Sequence, residues 1–114
     1  MRPSDALRKV AETISRKKNA AAVVVPRKIA VVLADEMYQP MYDGFDNVID
    51  RARAKYMQLV EQGGYIGTIM QMPMVVADDV VICSLTEQEL RESASRLGVD
   101  MAELQRDLMR VGAA

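Results

Sequence analysis

The sequence contains no histidine and no tryptophan, and it has one cysteine and one phenylalanine among its 114 residues. Without histidine the chain cannot build a histidine-based catalytic triad, an imidazole-ligated zinc site or an imidazole acid–base catalyst. The lone Cys83 cannot form a disulfide within the chain, which fits a reducing compartment. The glycines form neither a P-loop nor a GxGxxG motif, so the phosphate-binding signatures of nucleotide enzymes are missing. We therefore expect a protein that is not an enzyme and that requires no cofactor and no metal ion.

Long apolar runs are also missing. The first residues, MRPSDALRKV, contain no apolar segment of the length that a signal peptide needs, and no run approaches the ~18 residues of a membrane span. We expect a cytoplasmic protein, or one assembled in a virion, with no membrane contact and no small-molecule substrate. Half of the residues are apolar and 27% are charged, which is typical of a soluble globular protein. A chain of this length is expected to form one domain.

Charge is distributed unevenly along the chain. Residues 1–28 carry eight Lys or Arg against two acids (+6), residues 29–80 carry three against eight (−5), and residues 81–114 carry four against six (−2), which gives the net charge of −1. Ser4 or Asp5 can cap a first helix with an apolar stripe on one face and basic residues on the other. We predict that this basic face docks on an acidic protein surface or on another copy, with nucleic acid as a less favoured partner. The predicted docking residues are Arg8, Lys9, Arg16, Lys17 and Lys18.

The middle of the chain combines β-type segments with one strongly periodic helix. Residues 20–34 are rich in Val and Ile, which favours strands divided at Pro26, but residues 28–38 also fit helical spacing, so both interpretations stay open. Residues 45–61 place apolar side chains along one helical face, which predicts an amphipathic helix ended by a glycine pair. Residues 65–83 predict two or three short strands, in which Pro73 indicates an edge or a bulge.

Methionine is enriched, with nine residues in the chain. Two Met and two Tyr cluster beside the single Phe, in a segment that Pro40 and Asp43-Gly44 mark as a connection. Three further Met alternate along residues 70–74, which would place them on one face of a continuous strand. Packing in the core is one explanation, but Met and Tyr also suit adaptable interfaces, and we predict a partner-binding surface. Its residues are Met37, Tyr38, Met41, Tyr42, Phe45, Met70, Met72 and Met74.

Two helix-start signals lie close together in the C-terminal third. Thr86 to Glu89 forms a capping box, and Asp100 to Glu103 repeats it after Gly98. Two short helices joined at this glycine predict a helical hairpin, which resembles the helix-turn-helix family over about 20 residues. The resemblance implies an alternative function as a small DNA-binding regulator. The second helix, however, offers three acids against two bases, and acids at its start would oppose the phosphate field.

The tract IGTIMQMPMVVADD, residues 66–79, resembles a stretch found in tailed-phage capsid proteins. The resemblance implies a structural component of a virion or a phage-encoded binding protein, and it assigns no residue roles. Together these observations predict an α+β protein in which a small sheet packs on a central amphipathic helix. A basic N-terminal helix (1–19) precedes this body (20–83), and a C-terminal helical hairpin (84–114) follows it. The predicted function is binding to a protein partner, in self-association or in a larger complex.

Overall fold

A computed structural model describes residues 3–38 and 46–106 of the chain, with side chains from 5–38 and 50–106. The architecture is α+β, as the sequence predicts. A four-stranded sheet lies between two layers of helices. In chain order the elements are α1 (Pro3–Arg16), β1 (Ala20–Pro26), α2 (Arg27–Met37), α3 (Asp46–Gln62), β2 (Gly64–Ile69), β3 (Met72–Ala77), β4 (Cys83–Thr86), α4 (Glu87–Leu97) and α5 (residues 101–106).

The sheet has the strand order β2-β3-β1-β4. Its two central strands, β1 and β3, run parallel, and each edge strand is antiparallel to its neighbour. The parallel pair is joined through α2, α3 and β2, because parallel neighbours need a long crossover connection. The carboxyl ends of β1 and β3 therefore meet at one end of the sheet, and the β2–β3 hairpin turn lies at the other.

Successive side chains of the two central strands point to opposite faces of the sheet, so the core has two parts. Val23, Val25, Met74 and other buried residues face α1, α2 and α3, and this set is called the first core. Val24 and Val75 point to the opposite face and pack with α4 and α5 in the second core. Strands buried on both faces are expected to be continuous apolar runs, which explains the sequences AAAVVVP and MPMVVA.

Residues 27–37 resolve the alternative that the sequence leaves open, because they form a helix and the strand stops at Pro26. The interpretation of residues 20–34 as two strand pieces is therefore corrected. Pro26 has φ −65° and ψ 149°, a conformation that ends an extended strand and also precedes a helix start. Ala30, Leu33 and Ala34 are then buried at helical spacing in the first core, and this packing overrides the strand preference of Val and Ile.

The central helix α3 agrees with the prediction, and Tyr56 and Val60 anchor it in the first core beside α1 and α2. The helix ends at a left-handed Gly63, whose N–H donates to the Leu59 carbonyl over 3.0 Å. Gly64 has a different requirement: a Cβ atom there would lie 2.6 Å from the Gly98 carbonyl oxygen. The second glycine therefore permits close contact between β2 and the end of α4.

The methionine-rich strand region differs from its prediction. Met70 and Gln71 form a two-residue turn with φ values of 51° and 65°, so the chain reverses there instead of continuing as one strand. Pro73 lies in the central strand β3 and pairs with Thr68, and the irregularity falls at Ile66 in β2. The edge position inferred from the proline is therefore wrong. Pro73 precedes the first β1–β3 pair, so its missing N–H removes no bond to β1.

The C-terminal hairpin begins where the capping boxes predict. The Thr86 hydroxyl accepts from the Glu89 N–H (3.3 Å), and the Glu89 carboxylate accepts from the Thr86 N–H (3.1 Å). Gly98 ends α4 in the left-handed conformation, with φ 70°. The Asp100 carboxylate then accepts from the Ala102 N–H (2.9 Å) at the start of α5. The bonds between Thr86 and Glu89 are reciprocal, whereas at α5 the bonds shown are those that the Asp100 carboxylate accepts. Both sets satisfy backbone donors that a helix start leaves unpaired.

Candidate interaction surfaces

The structure separates the residues of the predicted Met/Tyr surface. Met37, Tyr38 and Met72 are partly buried against the first core, and Met74 is 2% exposed inside it. Met74 is thus a core residue and not part of a surface, because β3 is a central strand covered by helices on both faces. Met70, at the hairpin turn, is 46% exposed and accessible to a partner. The predictions for Met41, Tyr42 and Phe45 lie outside the described residues.

Tyr38 contributes to packing in the first core. Its ring lies 5.5 Å from that of Tyr56, centroid to centroid, at an interplanar angle of 51°. The Tyr56 hydroxyl donates to the Ala30 carbonyl over 2.6 Å, which ties α3 to α2. Burial, and to a smaller extent the neighbouring Tyr38, raises the pKa of Tyr56 above its ordinary value. Tyr56 therefore remains a neutral hydrogen-bond donor, at a position that the helical pattern of residues 45–61 places in the apolar stripe.

The predicted basic docking face is partly used within the chain. Arg8 lies 3.5 Å from Asp5, and Arg16 lies 3.7 Å from Glu12, both as exposed pairs along α1. Exposed pairs of this kind stabilise weakly and can exchange for a partner's charges. Lys9 and Lys18 are exposed and take part in no ion pair with the side chains described, those of residues 5–38 and 50–106. These four side chains of the predicted set can meet an acidic surface.

Lys17 has a structural role that the sequence does not show. Its Nζ donates to the Glu89 carboxylate (2.5 Å) and to the Ser84 carbonyl (3.2 Å), joining the end of α1 to β4 and α4. The hydrogen bond from Lys17, followed by those from Thr86, lowers the pKa of Glu89 to about 2. Lys17 thus joins the two helical layers, and its predicted place on the docking face stays a prediction. Its partner lies 72 residues away, beyond the reach of local sequence patterns.

An unpredicted surface lies where the chain crosses the carboxyl end of β1. Residues 78–82 connect β3 to β4 over this end of the sheet. Val80 packs on the second core and Ile82 on the first, which leaves Val81 between them 80% exposed. A groove of about 450 Å³ separates this loop from α1, and Lys9, Glu12 and Arg16 are its charged lining residues. We call this combination of the 78–82 loop and the adjoining face of α1 the Val81 surface.

A second cleft, of about 550 Å³, lies at the carboxyl ends of the parallel strands. Arg27 occupies its wall, where Nη1 donates to Asp78 (2.7 Å) and Nε donates to the Val60 carbonyl (3.1 Å). Asp79 and Arg96 also line the cleft. Asp79 has φ 57°, which fits the turn role predicted for the Asp78-Asp79 pair. Because Arg27 is already paired, the cleft presents balanced charges.

Cys83 opens the edge strand β4 and contacts the second core. Burial, as the main cause, raises the pKa of its thiol above the ordinary value. A raised pKa keeps the sulfur protonated near neutral pH, and the thiolate is the nucleophilic form. Cys83 thus behaves as a packed apolar residue and not as an activated nucleophile.

The C-terminal hairpin turns its apolar residues toward the sheet. Val99 and Leu104 are buried in the second core, and Ala102, Glu103 and Arg106 are exposed. Asp100 caps the start of α5, so its carboxylate stands at the point where a DNA-reading helix would meet the groove. The exposed start of this helix is therefore acidic.

Within the described parts of the chain, no group of three acidic or thiol side chains is arranged to hold a metal ion. The helices described are too short or too polar to cross a lipid bilayer. Comparison of the chain with protein-family models, curated proteins and solved structures gives no match.

Proposed function

We propose that the chain is a non-enzymatic, protein-binding subunit of a larger assembly and that the Val81 surface docks its partner. The observation that carries the proposal is the 80% exposure of Val81 between two residues that are packed on the two cores. The flanking residues hold the loop in place from both sides. An apolar side chain presented on a fixed loop can enter a partner's pocket with little loss of conformational freedom.

The chemistry of this surface defines the partner. The groove beside Val81 is lined by apolar side chains and, from α1, by Lys9 and by Arg16, whose guanidinium lies 3.7 Å from the Glu12 carboxylate in the same lining. A partner segment that combines an apolar side chain with a carboxylate would cover the valine and pair with Lys9, or replace Glu12 as the partner of Arg16. Such charges contribute to the association rate and to specificity, and their effect weakens with salt.

The sequence resemblance to tailed-phage capsid proteins supports a virion or a phage-encoded complex as the setting. The resembling tract, residues 66–79, forms most of the β2–β3 hairpin and the start of the 78–82 loop. It therefore covers the region next to the exposed valine. A structural subunit that meets its neighbours through loops fits this placement.

The experiment is affinity capture from source cells, followed by titration of the purified partner. Val81→Asp is expected to lower affinity roughly tenfold, equal to about 1.4 kcal/mol, because it places a carboxylate in an apolar contact. Ala102→Asp on α5 is the matched control and should bind like the parent. Lys9→Gln should weaken binding mainly at low salt, whereas Lys55→Gln on α3 should have no effect. Equal affinity of Val81→Asp and the parent would contradict the proposal.

DNA binding remains the alternative function, and the exposed Lys9 and Lys18 are the observation that favours it. A labelled duplex titrated across salt concentrations tests it directly. A regulator should show affinity that falls steeply as salt rises. We expect weak binding without sequence preference, because the start of α5 is acidic. Tight, sequence-specific binding would replace the assembly proposal.

A further inference from the structure

The geometry points to Arg27 as the residue that positions the Val81 surface for its partner, by fixing the start of the 78–82 loop. This inference rests on the proposed function, because it assigns a role within the same docking site. Arg27 does not line the groove beside Val81, although its neighbours Pro26 and Ile29 do. It is therefore a positioning residue that acts through the loop.

The two ends of the loop are held differently. At its end, Ile82 packs on the first core and is followed at once by Cys83, which pairs with Val24 in the sheet. At its start, two exposed residues, Asp78 and Asp79, follow the last residue of β3. Asp79 has φ 57°, a left-handed conformation that is uncommon outside glycine. The start of the loop therefore bends at two positions that have no apolar anchor.

Arg27 supplies a restraint at this start. Its Nη1 donates to the Asp78 carboxylate over 2.7 Å, and its Nε donates to the Val60 carbonyl over 3.1 Å. Arg27 is itself the first residue of α2, and Val60 lies in α3 with 1% exposure. One side chain therefore ties the loop to two helices of the α1–α3 layer. The planar guanidinium makes both bonds from fixed directions, which the single ammonium of a lysine does not reproduce.

This arrangement explains two features of the surrounding sequence. A helix start favours acidic side chains, yet α2 begins with Arg27 and Lys28 and has no acid in its first turn. The cation at position 27 is locally unfavourable, and its bonds to distant groups account for its presence. A Cβ atom at Gly63 would lie 3.1 Å from Arg27 Nη2, which is tighter than ordinary side-chain contact. The glycine therefore leaves room for the guanidinium.

The expected effect of this contact is on binding more than on stability. The Arg27 side chain is 37% exposed and that of Asp78 is 61% exposed, and ion pairs this exposed add little to the free energy of folding. A loop that is already fixed, however, loses less conformational freedom when a partner covers Val81. Breaking the pair should therefore lower partner affinity while the Tm stays near that of the parent.

Titration of the partner recovered by affinity capture, beside hydrogen exchange of the free chain, tests this role. Asp78→Ala and Arg27→Met break the pair from its two sides, and each should lower partner affinity roughly fivefold and speed amide exchange at residues 79–81. The double variant should lose no more affinity than either single variant, because both act through one contact. Asp35→Ala and Arg53→Met break the similarly exposed pair between α2 and α3, and they should change neither measurement.

The outcomes separate this inference from the proposed function. If Val81→Asp binds weakly but Asp78→Ala and Arg27→Met bind like the parent, the proposed function stands and the positioning role is wrong. Single losses of affinity that add up in the double variant would also overturn the role, because they would show separate contacts with the partner. A lower Tm of Arg27→Met at parental affinity would show that the pair is structural only. If Val81→Asp binds like the parent, both proposals are wrong.

Discussion

The two helical layers differ in how they are held and in what they expose. The α4–α5 layer is defined by local signals, namely two capped helix starts and a left-handed glycine. The α1–α3 layer depends on contacts between distant residues, such as Tyr56 with Ala30 and Arg53 with Asp35. The proposed binding surface involves the α1–α3 layer, with Val81 beside α1 and its positioning residue, Arg27, at the start of α2. Under the proposed function, partners bind at the α1–α3 layer, and the α4–α5 layer covers the other face of the sheet.

The largest expected effect tests whether both layers belong to one cooperative unit. Leu33→Ala opens the first core and Leu90→Ala opens the second, and each should cost about 2–5 kcal/mol of unfolding free energy. Because both cores share the same central strands, each variant should still unfold in a single transition. Chemical denaturation followed by two probes provides the measurement, with the exposed Val31→Ala as control. Two separated transitions would show that the layers unfold independently and would contradict the predicted single domain.

A second effect concerns the long-range contacts of the α1–α3 layer. Tyr56→Phe removes the hydroxyl that donates to the Ala30 carbonyl, and it should cost about 1–2 kcal/mol. Tyr38→Phe, which keeps the ring that packs on Tyr56, provides a comparison with the same chemical change. Thermal denaturation decides the result. A Tyr56→Phe protein as stable as the parent would mean that the layer is held by apolar packing alone.

The third effect concerns the local signals of the α4–α5 layer. Thr86→Ala and Asp100→Ala should each cost about 1 kcal/mol, because each leaves helix-start N–H groups without their acceptor. Ser95→Ala, at an exposed position within α4, should change stability by less than about 0.5 kcal/mol. Denaturant midpoints give the comparison. If both cap variants have the same denaturant midpoint as the parent, the capped helix starts do not stabilise this layer.

These contrasts also explain how far the sequence predicts the fold. The start of α4 was predictable because Thr86 and Glu89 are three residues apart and bond each other. Residues 27–37 were ambiguous because Val and Ile suit both strands and helices, and only burial against the sheet decides between them. The strand order was not predicted, since β1 pairs with residues more than 50 positions away. Sequence pattern is informative here wherever the interacting groups are close along the chain.

The candidate surfaces were harder to predict for the same reason. The methionine pattern included Met70, which is exposed, together with Met74, which is in the core. The alternating pattern does not distinguish these two methionines. Their difference in exposure arises from the turn at Met70-Gln71 and from the helices that cover β3. Val81 lies in a plain apolar run, VVIC, and becomes exposed only because its neighbours pack on opposite cores. Charge alone predicts Lys17 on the docking face, whereas its bond to Glu89 depends on a residue 72 positions away.

The smallest expected effect is a pH dependence of the contact between the layers. Hydrogen bonds lower the pKa of Glu89 from 4.5 to about 2 in the folded chain. The carboxylate therefore stabilises the fold above pH 4.5, and this contribution should disappear as the pH falls toward 2. Glu89→Gln should flatten that part of the stability profile, whereas the exposed Glu92→Gln should leave it unchanged. A parent profile identical to that of Glu89→Gln would show that Lys17 and Glu89 do not couple the layers.

Hydrogen exchange tests the difference between the two layers most directly. Exchange would be measured on the dilute chain and on the chain within complexes recovered from source cells. We expect assembly to protect the 78–82 loop, the adjoining face of α1 and the start of α2. Exchange in α4 and α5 should remain the same in both states. Protection of α4 and α5 with no change in the α1–α3 layer would contradict the assignment of binding to that layer.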